Sequence, residues 1–240
     1  KSLMAAKEKR ADRNRFMRPM SFESLESRRL LACLITPAVG FKTAADVVID
    51  CDNGNDLVNV ISQDNNGYSS IKINAGNKQW IIDENTLETL TFNLGGGNNR
   101  LNFNFQHEDD ESDFAGGFLQ NPEIHVTSGA GADRISVDFA EESTDGIDDN
   151  GRQAITLTFD LGGGNDILTV HSFDDVSGLY LRADMGDGAD RIDLNFEANL
   201  DDYEDIGIDM GTGNDKFKMN VDGSVNGDWT GPADCVECDD

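Results

Sequence analysis

Apolar residues along this chain fall on alternate positions in short runs, and glycines break the runs. Phe159 to Val170 shows the pattern in full: Phe-Asp-Leu-Gly-Gly-Gly-Asn-Asp-Ile-Leu-Thr-Val. Alternation at period two predicts a half-buried strand on each side of a glycine turn. The same arrangement is written six times, around Asp56, Asn99, Asp133, Asp166, Asp190 and Asp215. Two residues before each of these pivots stands glycine: Gly54, Gly97, Gly131, Gly164, Gly188, Gly213. Four before stand Asp52, Gly95, Gly129, Gly162, Gly186 and Gly211. Two after stand Val58, Leu101, Ile135, Leu168, Ile192 and Phe217, and four after Val60, Phe103, Val137, Val170, Leu194 and Met219. Six before, the slot is always polar: Asp50, Asn93, Thr127, Asp160, Asp184, Asp209. Each copy therefore reads as strand, turn, strand with one face inward, and paired glycines allow positive φ in the turn.

The pivots are 43, 34, 33, 24 and 25 residues apart. Repeats of this size predict stacked units, because one unit cannot bury its apolar face alone. The fold expected is all-β: a right-handed parallel β-helix or β-solenoid over residues 44–222, with about six acidic turns and loops extruded in the longer intervals. His107 to Asp113 and Ala140 to Gly151 have loop composition. Tyr68 to Asp83 reads as a hairpin around Ala75-Gly76-Asn77. A β-sandwich of hairpins would also use short strands, but would not repeat one acidic turn so regularly.

Winding would bring the pivots into a ladder, with rungs roughly 4.8 Å apart. Adjacent carboxylates at that spacing repel by about 1 kcal/mol in water and about 3 kcal/mol near a protein surface. A divalent cation between rungs would turn repulsion into binding. Ca²⁺ suits carboxylate and carbonyl oxygens in flexible geometry, Mg²⁺ demands a stricter octahedron, and zinc would need recurring Cys or His. If the turns are only turn formers, Asn, Asp and Gly would be favoured there anyway.

The copies resemble the hemolysin-type (RTX) calcium-binding repeat, Gly-Gly-x-Gly-x-Asp-x-apolar-x; Leu161 to Thr169 matches it except at the first glycine. The resemblance implies a parallel β-roll in which aspartate side chains and turn carbonyls hold Ca²⁺. It assigns side-chain ligation to Asp56, Asp133, Asp166, Asp190 and Asp215. Carbonyl-donating turns fall at Gly129 and Gly131, Gly162 and Gly164, Gly186 and Gly188, and Gly211 and Gly213. The first glycine of the motif is replaced in every copy, and one turn occurs per longer coil, so Asp160, Asp184, Asp187 and Asp209 are expected to help complete the ligand sets. Asn99 brings no charge, which makes the second turn weaker.

Charge is unevenly spread. Residues 1–30 hold nine Lys/Arg and four Asp/Glu, net +5; the rest holds ten and 42, net −32, which sums to −27. So acidic a body argues against a nucleic-acid partner and suits cation loading. Residues 1–41 form a basic, then apolar, leader-like segment, expected to be disordered or cleaved. Phe22 to Ala32 resembles a segment at the start of many planctomycete cell-surface and secreted proteins. The apolar run, with Pro37, is too short for a transmembrane helix. Leu30 to Cys33 mimics a lipoprotein box, but the arginines directly before it argue against lipid on Cys33. Cys51 alternates with Val47 and Ile49 and reads as a core residue. The tail, 223–240, loses the period and carries Cys235 and Cys238, whose spacing fits a local or intermolecular disulfide or a free pair. Trp80 reads as packing and Trp229 as a cap on the last coil.

No catalytic set stands out. His107, His125 and His171 are scattered, and carboxylates are too plentiful for any pair to be informative. The expectation is a non-enzymatic, extracellular or cell-surface protein that binds calcium ions. The rivals are a β-helix enzyme acting on acidic polysaccharide and an acidic module that docks on a cell-surface protein or polysaccharide.

Overall fold

The computed structural model describes residues 33–64, 69–83, 86–105, 123–139, 155–172, 176–177, 179–196, 200–201, 205–222 and 228–230. These residues are nearly all-β, with a short 3-10 turn at Phe41–Thr43 and no α-helix among them.

Two main sheets of eight strands share the described residues. The first contains Leu34–Thr36, Asp46–Asp50, Thr89–Asn93, Glu123–Thr127, Ile155–Asp160, Leu179–Asp184, Asp205–Asp209 and Asp228–Thr230, paired in that order. The second runs from Lys216–Val221 through Arg191–Phe196, Ile167–Ser172, Arg134–Phe139 and Arg100–Phe105 to Leu57–Asp64, Ser69–Ala75 and Lys78–Asp83. The chain alternates between the sheets. Each strand of the first sheet that precedes a glycine turn is followed, across that turn, by a strand of the second. The strands so joined pair in parallel with their counterparts in the neighbouring copies.

Register follows the repeat. Asp50, Asn93, Thr127, Asp160, Asp184 and Asp209 pair in succession on the first sheet. Val58, Leu101, Ile135, Leu168, Ile192 and Phe217 do the same on the second. A shift by one residue would turn every apolar side chain outward, so the alternation pins the pairing. The inward residues form one core, in which Phe92 of the first sheet meets Phe103 of the second edge-on at 5.5 Å and Phe105 stacks on Phe139 at 5.3 Å. Aromatic pairs of this kind add to the burial of apolar area.

Antiparallel strands close the N-terminal end. Leu34–Thr36 pairs with Asp46–Asp50, and Leu57–Asp64, Ser69–Ala75 and Lys78–Asp83 form a meander. The hairpin read around Gly76 is the outer part of that meander, with φ +60° at Gly76 and Trp80 buried in the core. The leader-like segment expected through residue 41 contributes its last part to the body: Cys33 is buried and joined to Cys51 by a disulfide, and its carbonyl accepts from Lys78 Nζ at 2.7 Å. Cys51 is therefore half of a crosslink rather than a free core thiol. At the other end Asp228–Thr230 adds a strand in parallel to Asp205–Asp209, with Trp229 opposite Ile206. The two loops read from composition, and Cys235 with Cys238, lie outside the described residues.

Candidate functional site

The glycine turns stack into a third, narrow ladder. Gly163–Gly164, Asp187–Gly188 and Thr212–Gly213 pair in parallel, and Ala130 bridges to Gly163. Backbone runs so close to backbone here that a side chain is excluded. A Cβ on Gly95 would lie 2.6 Å from the Asp52 carbonyl oxygen, and one on Gly162 would lie 2.7 Å from that of Gly129. At Gly164, Gly188 and Gly213 it would collide with the carbonyl oxygen of the matching glycine one copy earlier. Gly162, Gly186 and Gly211 also hold φ of +72°, +79° and +72°, which side-chain-bearing residues rarely adopt. Gly96 and Gly163, by contrast, have room: their nearest neighbours would be 3.5 Å and 3.7 Å away. The glycine pattern is thus a steric requirement of close stacking.

Beside this ladder runs the column of pivots. All six lie in one file, joined by a chain of hydrogen bonds. The Asp56 N–H donates to Asn99 Oδ1 (3.0 Å), Asn99 N–H to Asp133 Oδ1 (2.7 Å), and Asp133 N–H to Asp166 Oδ1 (2.7 Å). Asp166 N–H donates to Asp190 Oδ1 (2.7 Å), and Asp190 N–H to Asp215 Oδ1 (2.9 Å). Each side chain thereby satisfies an N–H of the copy before it. The residues just ahead of the pivots do the reverse: Asn55, Asn98 and Asn165 accept from the N–H of Asn98, Ala132 and Ala189 in the copy after. Successive N–H groups of an extended turn point opposite ways along the stack, so Asn and Asp in adjacent slots serve opposite neighbours.

The pivots are buried, except half-exposed Asp215. Their second oxygens are the unusual feature. Oδ2 of Asp133, Asp166 and Asp190, and both oxygens of Asp56, are buried without a hydrogen-bond partner. Asp56 heads the file, so no earlier copy among the described residues offers it an N–H. In the second copy Asn99 Nδ2 donates to the Gly97 carbonyl at 3.4 Å, which shows what faces this atom in its turn. Burial, reinforced by neighbouring carboxylates, raises the pKa values: Asp166 up to about 7 and Asp56 to about 6, with Asp190 also raised. The N–H from Asp133 pulls Asp166 the other way, but less strongly.

The auxiliary carboxylates are placed elsewhere. Asp160, Asp184 and Asp209 are exposed on the outer side of the first sheet. Asp184 and Asp209 accept the N–H of Gly186 (3.1 Å) and Gly211 (2.9 Å), a local turn cap. Exposed Asp187 accepts from Thr212 Oγ1 at 2.6 Å. Among the described residues, one group of three Asp, Glu, His or Cys side chains brings ligand atoms within 4.8 Å of one another: Cys33, Cys51 and Asp56. Its sulfurs are spent in the disulfide. The turns therefore offer a pivot Oδ2 and turn carbonyls, an oxygen-only set that suits a hard cation, and not the several carboxylates first expected. His125 lies 3.3 Å from Glu123 on an open face, and Arg182 pairs with Asp205. No transmembrane-length apolar helix occurs among the described residues. No protein-family model, curated protein or solved structure matches the chain.

Proposed function

We propose that this chain is an exported, calcium-binding β-solenoid with a structural role outside the cell. The strands would wind as a parallel coil, right-handed as such crossovers almost always are. Asp133, Asp166 and Asp190, with the carbonyls of the turns, would hold Ca²⁺ inside the stack, and Asp56 and Asp215 would flank them.

One observation carries this reading: a file of buried carboxylates, each with an oxygen that nothing in the described protein satisfies. Left ionised and unpaired, buried charges cost several kcal/mol each. A domain has only about 5–15 kcal/mol to lose. The file must therefore be protonated or neutralised by a cation. Protonation serves at acid pH; at neutral pH a hard divalent ion does the same and gives up none of the turn hydrogen bonds. The disulfide fits an oxidising exterior. A structural role is favoured over catalysis because the carboxylates are enclosed and held by backbone N–H groups.

Far-UV circular dichroism during a calcium titration after EDTA tests the proposal. Calcium should raise the unfolding midpoint in neutral urea, since a ligand that binds only the folded chain stabilises it by mass action. A midpoint indifferent to calcium up to millimolar concentration refutes it.

A further inference from the structure

We propose that the outer face of the second sheet is a docking groove for a linear anionic polysaccharide, seated on Arg100 and Arg134 and extended by Arg191 and Lys216. The residue after each pivot points outward, and register lines these residues up: Leu57, Arg100, Arg134, Ile167, Arg191, Lys216. Nine Lys and Arg fall among the described residues, and four of them stand in this one column. In a chain of net charge −27 that concentration is the chief exposed basic feature of the described surface.

Arg100 and Arg134 are exposed on adjacent strands, about 4.8 Å apart. Among the described residues neither guanidinium has an ion-pair partner. Two parallel guanidinium forks at that spacing match the oxygens of a carboxylate or sulfate, which would also relieve their mutual repulsion. They flank a shallow groove of about 280 Å³, lined further by Asn102, Ser136, Ile167 and Thr169. Its polar side chains suit hydroxyls, and half-buried Ile167 offers an apolar step for a sugar's C–H face. Further along, Asp193 takes Arg191 at 2.9 Å and lies 3.9 Å from Lys218, so that end is partly neutralised. The anchor is therefore the Arg100–Arg134 end. The file runs straight along the stack with one basic or apolar step per strand, which fits an extended polymer better than a compact anion. A large nucleic acid would meet the repulsion of a chain whose net charge is −27.

The test measures binding of the full chain to polygalacturonate (carboxylate) and dextran sulfate (sulfate), with neutral dextran as control, at low salt, in EDTA and in calcium. At least one anionic polymer should bind in EDTA and weaken with salt. R100Q/R134Q should lower that affinity about tenfold or more, R100K/R134K less, and K42Q/K72Q hardly at all. Unchanged circular dichroism verifies that each variant is folded. Affinity unaltered in R100Q/R134Q overturns the proposal, as does failure of both polymers to bind. Binding that requires calcium and survives the variant would place the polymer on the acidic faces instead. Tighter binding of duplex DNA, or self-association abolished by R100Q/R134Q while neither polymer binds, would give the groove to another occupant. Because the EDTA arm reads the groove alone, failure of the calcium reading would leave this result standing.

Discussion

Asp166→Asn asks most directly what the column is for. Asn99 shows that the amide fits this slot: its Oδ1 accepts the neighbouring N–H and its Nδ2 reaches a turn carbonyl. The variant should therefore keep the bond from Asp133 and convert the orphaned Oδ2 into a donor. Its effect on stability follows from the acid constant. Asp166 is raised from 3.8 to about 7 in the folded chain. A raised carboxyl gives its full benefit below pH 4, where both states are protonated. The benefit is lost as pH rises to about 7, because the unfolded chain ionises first. Roughly three units at about 1.4 kcal/mol each make ~4 kcal/mol, an upper bound because neighbouring rungs are coupled. Urea unfolding in EDTA should then show wild type and D166N alike near pH 4, with D166N more stable by about 2–4 kcal/mol at pH 8. Calcium should reverse the order at pH 8, since only wild type keeps the carboxylate. The reasoning fails if the two proteins differ by the same amount at every pH, or if D166N is the weaker one at pH 8 in EDTA.

Three further outcomes follow from the stacking. Asn99→Asp should weaken the calcium-free chain by about 2 kcal/mol or more at pH 8, because it adds a buried carboxylate between Asp56 and Asp133 and removes the donor to Gly97; urea midpoints with and without EDTA measure it. Gly164→Ala should cost about 3 kcal/mol or more, since its Cβ meets the Gly131 carbonyl, whereas Gly163→Ala should stay within about 1 kcal/mol. Equal midpoints for the two alanine variants would show that the coils can spread. Reducing Cys33–Cys51 should lower stability by about 3 kcal/mol, read as a drop in the thermal midpoint with reductant, and Cys51→Ala should match it.

Much of the architecture was legible because the repeat is also the register. Equivalent slots of the repeat, such as Val58, Leu101 and Ile135, are neighbours across the second sheet. The hairpin at Gly76 was legible for the same reason: alternation plus a turn dipeptide defines it locally. The pivots do share one edge of the stack, but alternation placed them on the inward side only implicitly. Pivot, pivot plus two and pivot plus four have the same parity, so Asp166 faces in with Leu168 and Val170. The ladder of carboxylates was expected from winding alone, and its burial follows from this parity. The inward parity switches across the glycine turn: Phe159 and Leu161, Ala183 and Met185, and Ile208 and Met210 face in, so Asp160, Asp184 and Asp209 between them face outward, away from the ligand sets assigned to them. The disulfide was hidden because Cys33 lay in a segment read as leader, and pairing depends on where the chain returns. The basic column was visible in principle: the slot after the pivot reads Arg100, Arg134, Arg191 and Lys216 once the copies are aligned.

The two ends of the stack are finished differently, and this bears on self-association. At the N-terminal end antiparallel strands occupy the last positions of both sheets, so the parallel pattern stops within the molecule. Among the described residues, the second sheet ends at the other side on Lys216–Val221, whose exposed lysines at 216 and 218 make that strand a poor template for a foreign one. A repeat this regular would otherwise be a seed for fibres. Exchanging both lysines for valine should therefore favour edge-to-edge association, read as particle size that grows with concentration.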